Sequence, residues 1–256
     1  MIRVVVAGAT GRLGSLVCDL VAESDEMELV AAVVSENGGN VGTDVHGVTA
    51  VGPSSIPDVT VDADVYVDLT SPLAATENLS SVRGVNCVIG TTAIPEDAMA
   101  AFSSSLVDDG RSAVVTPNFS IGVNVFWKAC AMLAGALPGY DIEVIERHHN
   151  RKRDAPSGTA AKTVDVLMGA SRASGVTHGR EGVVGPRGDE IGVHAVRAGD
   201  IVGDHTVVFA GRKEVLELTH RAISREAFAE GCIEAIRWVA GRDDGGVHGM
   251  DEVLGL

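Results

Sequence analysis

Short apolar, β-branched runs alternate with segments of helical character through the first half of the chain. IRVVVAG (2–8) precedes a helix predicted over 11–22, and MELVAAVV (27–34) precedes a glycine-rich loop. VYVDLT (65–70) leads into a segment over 72–83, VNCVIGTT (85–92) into 95–107, and SAVVTPN (112–118) closes the series. This strand–helix–strand rhythm predicts a mostly parallel sheet with helices on both faces. Turn signals stand at the strands' carboxyl ends, in GATG, LTSP, GTTAIP and TPNFS, along the edge where open parallel sheets bind ligands.

The pattern changes after Asn118. An apolar helix is predicted over 120–137, then YDIEVIERHH (140–149) reads as a strand that alternates toward its polar end. A helix from Gly158 to about Ala173 and a glycine-rich connection (175–190) follow. Three β-like runs come next, IGVHAVRAG (191–199), DHTVVFAG (204–211) and EVLELTHRA (214–222). Strands in succession predict an antiparallel or mixed sheet, and with it a second domain. Ser224 is placed to cap a final helix carrying Glu226, Ala227, Phe228, Ile233, Ile236 and Val239 on its early and apolar positions.

Composition narrows the function classes. The 256 residues allow one large domain or two small ones. No apolar run approaches the length of about 18 residues that a membrane span needs, and the N-terminus reads as a first strand rather than a signal peptide. The formal net charge is −15, with 35 acidic residues against 20 basic ones, which argues against a nucleic-acid footprint. Cys18, Cys87, Cys130 and Cys232 are scattered, without C-x-x-C spacing, so neither a disulfide framework nor a metal site is expected and a reducing cytoplasm fits best. Lysine occurs only at positions 128, 152, 162 and 213. Two readings of the acidic surface stand: adaptation to a high-salt cytoplasm, where screening relieves self-repulsion, or an ordinary acidic protein.

VVVAGATGRLG places Gly8, Gly11 and Gly14 where the first strand turns into a helix. Glycines there let backbone N–H groups and the helix N-terminus approach a pyrophosphate, which points to a dinucleotide site. At the end of the second strand, Ser35 could hydrogen-bond a 2′-phosphate and Glu36 the ribose hydroxyls, so NADH and NADPH both stay open. Gly90, Thr91 and Thr92 end the fourth strand and Thr116, Pro117, Asn118 and Phe119 the fifth, offering small side chains, hydroxyls and an amide to a nicotinamide and its ribose.

The one basic island is ERHHNRKRDAPSGTA (146–160). Ser157, Gly158 and Thr159 open a helix after Pro156 and make an anion site. Lys152 adds a mobile cation, and His148 and His149 can give a proton near neutral pH. Strand alternation sends those two histidines to opposite faces. Beside a dinucleotide, such a set describes reduction of an anionic substrate, with hydride from the cofactor and a proton from the protein.

This stretch resembles the signature of the dihydrodipicolinate reductase (4-hydroxy-tetrahydrodipicolinate reductase) family. AGATGRLG, VDLTSP, IGTTAIP, TPNFSIGVNVFWK, HAVRAGDIVGDHTVVFAG and LELTHRA match the family in the same order, so the resemblance covers nearly the whole chain. It implies a Rossmann-like dinucleotide-binding domain over 1–118, completed by a C-terminal helix over about 224–256. The second, α+β domain over 119–223 carries substrate and the assembly sheet. The resemblance makes His148 the proton donor assisted by Lys152, and His149, Gly158 and Thr159 contacts of a cyclic dicarboxylate. It lays NADH or NADPH on Gly8, Ala9, Thr10, Gly11, Arg12 and Leu13, touching Gly90–Thr92 and Thr116–Phe119. A cytoplasmic homotetramer of lysine and diaminopimelate biosynthesis is implied.

Val34-Ser35 departs from the acid that often ends the family's second strand, and Asn150 replaces a residue that is often basic. Two alternatives stay open. A semialdehyde dehydrogenase would need a thiolate, whereas Cys87 and Cys130 lie in apolar runs. A cofactor-sensing module would bind NAD(P) without turnover.

Overall fold

The computed structural model describes residues 1–256. They divide into two compact units, Met1–Ile121 with Glu226–Leu256, and Gly122–Arg225. In the first unit β1 (Ile2–Ala7) leads to α1 (Gly14–Ala22) and β2 (Met27–Val33). The helix starts three residues later than its sequence pattern suggests, because the residues from Gly8 onward close a turn in which Gly11 N–H donates to Gly8 O at 2.8 Å. A small hairpin, β3 (Asp44–Val45) and β4 (Val48–Thr49), and a single-turn helix, α2 (Ile56–Val59), occupy the stretch before the next long strand. Then come β5 (Val65–Asp68), α3 (Pro72–Ser81), β6 (Asn86–Ile89), α4 (Glu96–Asp109) and β7 (Ala113–Val115).

The main strands form a parallel sheet in the order β7-β6-β5-β1-β2. Every residue of β5 and β6 is buried, since helices cover both faces, which is why these strands carry no polar alternation. α1 buries Gly14, Val17, Cys18 and Val21, one stripe of a 3.6-residue period. The chain order reverses between β1 and β5, so the carboxyl ends of these two strands flank the crevice where such sheets take ligands.

α5 (Ile121–Ala136) opens the way to the second unit, followed by β8 (Asp141–His148), α6 (Gly158–Ala170), β9 (Gly175–His178), β10 (Glu190–Arg197), β11 (Gly203–Ala210) and β12 (Val215–Ala222). The sheet is mixed, in the order β12-β11-β8-β10-β9, with β10 parallel to β8 and β9, and β11 antiparallel to β8 and β12. β9 lies in the stretch expected as a connection. Its four residues alternate only twice between flanking turns, too short a pattern to be distinguished from a loop. β8 alternates strictly, with Ile142, Val144, Glu146 and His148 buried. Ile142 and Val144 join Phe126, Cys130, Leu167, Ile191, Val207 and Phe209 in this unit's core.

The chain then returns to the first unit. In place of one continuous helix over 224–256 there are α7 (Glu226–Val239), β13 (Val247–His248) and α8 (Met250–Leu254). α7 ends at Val239, and Gly245, at φ +70°, holds the stretch before β13 in a conformation no helix accepts. β13 adds to the sheet beside β7. Cys232, Ile233, Ile236 and Val239 of α7 enter the same core as Val4, Val6 and Val67. Buried Asn86 donates to the carbonyls of Val239 and Arg242 at 2.8 and 3.0 Å, satisfying the end of α7 from within the sheet.

Candidate active site

At the end of β1 the glycines first serve the turn itself. Gly8 sits at φ +83°, and a Cβ there would fall 2.5 Å from the Leu69 carbonyl oxygen. A Cβ on Gly14 would fall 2.0 Å from the Gly8 carbonyl oxygen. Gly8 and Ala9 N–H both donate to Val33 O, at 2.9 and 3.3 Å, so they are fixed within the sheet. Ala9 is buried, Thr10 and Arg12 are exposed, and Leu13 packs partly against the core. α1 begins after Leu13 with no side-chain cap, which leaves its positive end available to a pyrophosphate. The turn therefore fits the dinucleotide expected of it.

Ser35 and Glu36 are exposed beyond β2. The Glu36 carboxylate is folded over Gly52, where a Cβ would meet Oε2 at 1.8 Å. Asn40, which belongs to no motif in the sequence, donates from Nδ2 to Thr10 Oγ1 at 3.3 Å and ties this loop to the glycine turn.

Thr91 and Thr116 prove less open than expected. Thr91 is buried, and its hydroxyl donates to Asp68 Oδ1 at 2.7 Å while accepting Thr70 N–H at 2.9 Å. Asp68, itself fully buried, also accepts from Tyr66 Oη, Asn78 Nδ2 and Thr70 Oγ1, at 2.9, 3.0 and 2.7 Å. The Thr116 hydroxyl donates to Asn118 O at 2.9 Å and accepts Asn118 N–H at 3.1 Å, closing a turn. Phe119 is a core residue, and its ring fills the space a Cβ on Gly90 would need, 2.4 Å away. Thr92 and Pro117 are exposed along the same edge, and Asn118 is buried, its Oδ1 accepting from Ser120 N–H at 2.9 Å.

In the second unit, His148 ends β8 with its Nδ1 2.5 Å from Glu146 Oε2. Glu146 has no exposure. Arg197 donates to both its oxygens, at 2.8 and 2.7 Å, and Ser157 N–H donates to Oε1 at 3.1 Å. Burial alone would raise the Glu146 carboxyl, but hydrogen bonds from Arg197 and then His148 outweigh it and hold the group below the usual carboxylate range. His205 stands edge-on to His148, ring centroids 5.3 Å apart. The sequence motifs assign no role to Glu146, Arg197 or His205. Two-residue alternation along β8 already puts Glu146 on the face of His148, whereas nothing in the local sequence links it to Arg197 or His205.

Ser157 departs from its expected role as a substrate ligand. It is buried, its hydroxyl accepts Ala160 N–H at 3.1 Å as the cap of α6 and lies 3.0 Å from His205 Nε2, and its N–H belongs to Glu146. Gly158 is the position with open space, since a Cβ there would meet nothing within 4 Å. Thr159 follows it in the first turn of α6, its carbonyl accepting from Thr163 Oγ1 at 2.7 Å. Lys152 Nζ rests on Asp154 Oδ1 at 2.9 Å. His149 Nδ1 is buried without a hydrogen-bond partner. Burial, then the charges of Arg151 and Arg225, pull His149 below the ordinary histidine range and favour its neutral form. Arg151 pairs with Asp200 at the surface, at 2.7 Å.

All four cysteines are buried and unpaired, and burial pushes the Cys130 thiol up to about 12 and raises that of Cys87 as well. Neither can serve as the thiolate of a semialdehyde dehydrogenase.

A parallel sheet with a glycine turn at its crossover, and a second unit presenting a carboxylate-held histidine, define the class of two-domain dinucleotide-dependent oxidoreductases. Family models narrow the class: the N-terminal model of dihydrodipicolinate reductase matches residues 2–119 and the C-terminal model residues 122–254. The chain belongs to the dihydrodipicolinate reductase family. It is 46% identical over 272 aligned positions to a 4-hydroxy-tetrahydrodipicolinate reductase of Methanothermobacter thermautotrophicus, covering all of both chains. The corresponding enzyme of Methanosarcina mazei is 43% identical, again over the full length of both. Among solved structures, dipicolinate-bound dihydrodipicolinate reductase of a Paenisporosarcina species matches with a TM-score of 0.79 at 28% identity, covering 98% of this chain and 99% of that one. A probable dehydrogenase of Thermotoga maritima, at 10% identity and a TM-score of 0.63, shares the fold.

Proposed function

We propose that the chain reduces 4-hydroxy-tetrahydrodipicolinate to tetrahydrodipicolinate in lysine and diaminopimelate biosynthesis, with NADH or NADPH as reductant. Loss of water from the hydroxylated ring yields dihydrodipicolinate. One hydride and one proton then add across a double bond, and NAD(P)⁺ is the other product. The cofactor, when bound, supplies the hydride. The turn from Gly8 to Leu13 would hold its pyrophosphate, Ser35 and Glu36 its adenosine ribose, and the Gly90–Thr92 and Thr116–Phe119 edges its nicotinamide end. The exposure of both Ser35 and Glu36 supports use of either cofactor.

The observation that carries the reading is the Nδ1 contact of His148 to Glu146 at 2.5 Å, which leaves Nε2 as the nitrogen that holds the mobile proton. His148 is thus the proton donor. Lys152 and neutral His149 face a carboxylate, and the opened helix start at Gly158 and Thr159 takes the second one, with Ser157 acting as cap rather than ligand. The first unit is accordingly the dinucleotide-binding domain and the second the substrate and oligomerisation domain. Assembly of the chain into a homotetramer through the second unit's sheet is part of the same reading. No helix is long and apolar enough to cross a membrane, and four unpaired cysteines support a cytoplasmic location.

A spectrophotometric assay with enzymatically generated substrate, run in parallel with NADH and NADPH, tests this reading. Cofactor oxidation that depends on the substrate is expected. Cofactor binding without turnover would instead identify a sensing module. Lys152→Ala is expected to raise KM, and an unchanged KM would remove the carboxylate role from Lys152.

A further inference from the structure

We propose that Glu146 is a positioning residue of the reaction, which fixes the ring and tautomer of His148 and ties the proton donor to the carboxylate-binding end of the site. The proposal rests on the reading of His148 as donor.

Three observations carry it. First, Glu146 occupies the third inward position of β8, after Ile142 and Val144, which are core residues. An apolar side chain would continue that row at lower cost, because a fully buried carboxylate must be completely paired to be tolerated. Here every partner is supplied: two nitrogens of Arg197, the Ser157 amide and His148 Nδ1. A charge maintained at such a place is explained by what it orients.

Second, the contact is directional. An ionised carboxylate only accepts, so Nδ1 of His148 must carry its hydrogen toward Glu146, which leaves Nε2 as the nitrogen that exchanges a proton. The ring has room for this pose because residue 203 is glycine. A Cβ at Gly203 would already stand 3.0 Å from Nε2.

Third, the clamp extends beyond the histidine. Arg197 Nη2 also donates to the Asp154 carbonyl at 2.7 Å, and the Asp154 side chain holds Lys152 Nζ at 2.9 Å. The Ser157 amide on Glu146 Oε1 immediately precedes Gly158, the open first residue of α6. One buried carboxylate thereby sets the ring of His148, the loop that bears Lys152 and the start of the anion-binding helix.

The test compares Glu146→Gln, His148→Gln and the double variant, reading kcat and KM for the substrate at saturating NADH together with NADH affinity. Glu146→Gln is expected to lower kcat by at least about 10- to 100-fold, the range met when the partner orienting a metal-bound histidine is lost, with NADH affinity unchanged. In the His148→Gln background the same change should cost less than about 3-fold, because residues acting through one group are not additive. A charge-balanced Glu146→Gln/Arg197→Gln variant should keep the kcat loss while restoring thermal stability toward wild type, which separates positioning from folding. ¹⁵N shifts of His148 followed across its titration in the unsubstituted protein should show both nitrogens protonated in the donor form and the Nδ1–H tautomer once Nε2 has lost its proton. The proposal is overturned alone if His148→Gln is inactive while Glu146→Gln retains wild-type kcat, if the two losses multiply, or if the neutral ring keeps its hydrogen on Nε2 and not on Nδ1. Wild-type kcat in His148→Gln would overturn the donor reading itself, and the proposal with it.

Discussion

The hydroxyl of Thr91, two residues past β6, donates at 2.7 Å to the carboxylate of Asp68, the last residue of β5, and so joins neighbouring strand ends at the carboxyl edge of the sheet. Thr91→Val keeps the volume but removes one donor from Asp68 Oδ1 and the nearer acceptor of Thr70 N–H, which keep their contacts with each other, the Thr70 hydroxyl at 2.7 Å and its N–H at 3.2 Å from Oδ1. A loss of about 0.5–1.5 kcal/mol in urea denaturation is expected, the usual net contribution of an intramolecular hydrogen bond, together with weaker NADH binding in a fluorescence titration. Wild-type stability in Thr91→Val would show that the network does not depend on this hydroxyl.

Gly14 is expected to tolerate no side chain. Its Cβ would fall 2.0 Å from the Gly8 carbonyl oxygen, which is backbone and cannot swing aside. Gly14→Ala should lower stability by about 1–3 kcal/mol through overpacking and weaken NADH binding, because the turn and the start of α1 move together. Gly169→Ala, where a Cβ would meet nothing within 4 Å inside α6, is the control and should be neutral or slightly stabilising. Equal effects at the two positions would contradict the packing argument.

Burial, followed by the charges of His148 and His220, pulls His205 down from 6.5 to about 4. Above about pH 6.5 both folded and unfolded chains hold this histidine neutral, so it contributes nothing to the pH dependence. Between about pH 6.5 and 4 the unfolded chain takes up a proton that the folded one refuses, so stability falls with pH through that window, by up to about 3 kcal/mol. His205→Gln should flatten this limb in denaturation curves recorded across the window. An unaltered slope would place the acid sensitivity elsewhere.

The net charge of −15 predicts a response to salt. Raising ionic strength from about 0.1 M to 1 M shortens the screening length from about 10 Å to 3 Å and relieves repulsion between acidic groups. Thermal melts should shift upward over that range, and a melting temperature indifferent to molar salt would exclude adaptation to a saline cytoplasm.

Much of this fold is written locally. The β1 glycine turn is legible because Gly8, Gly11 and Gly14 follow an apolar run and precede a helical stripe, and β8 is legible because its alternation is strict over eight residues. The short β9 and the β13–α8 ending carry too few residues to show a period, and they gain order by pairing with β10 and β7, which no local pattern records.

The site divides in the same way. The sequence by itself determined the chemistry: histidines, a lysine and a glycine-opened helix start lie within fifteen consecutive residues, and the family pattern runs through the whole chain. Only the tertiary structure decided which groups are open and which are held. It turned Thr91, Thr116 and Ser157 inward, folded Glu36 over Gly52, and brought Arg197 and His205 to Glu146 and Ser157 from about fifty residues away. The physical reason is burial. A carboxylate at position 68 or 146 is tolerable only where several strands and a helix end converge to supply donors, and that convergence is a property of strand order in the two sheets.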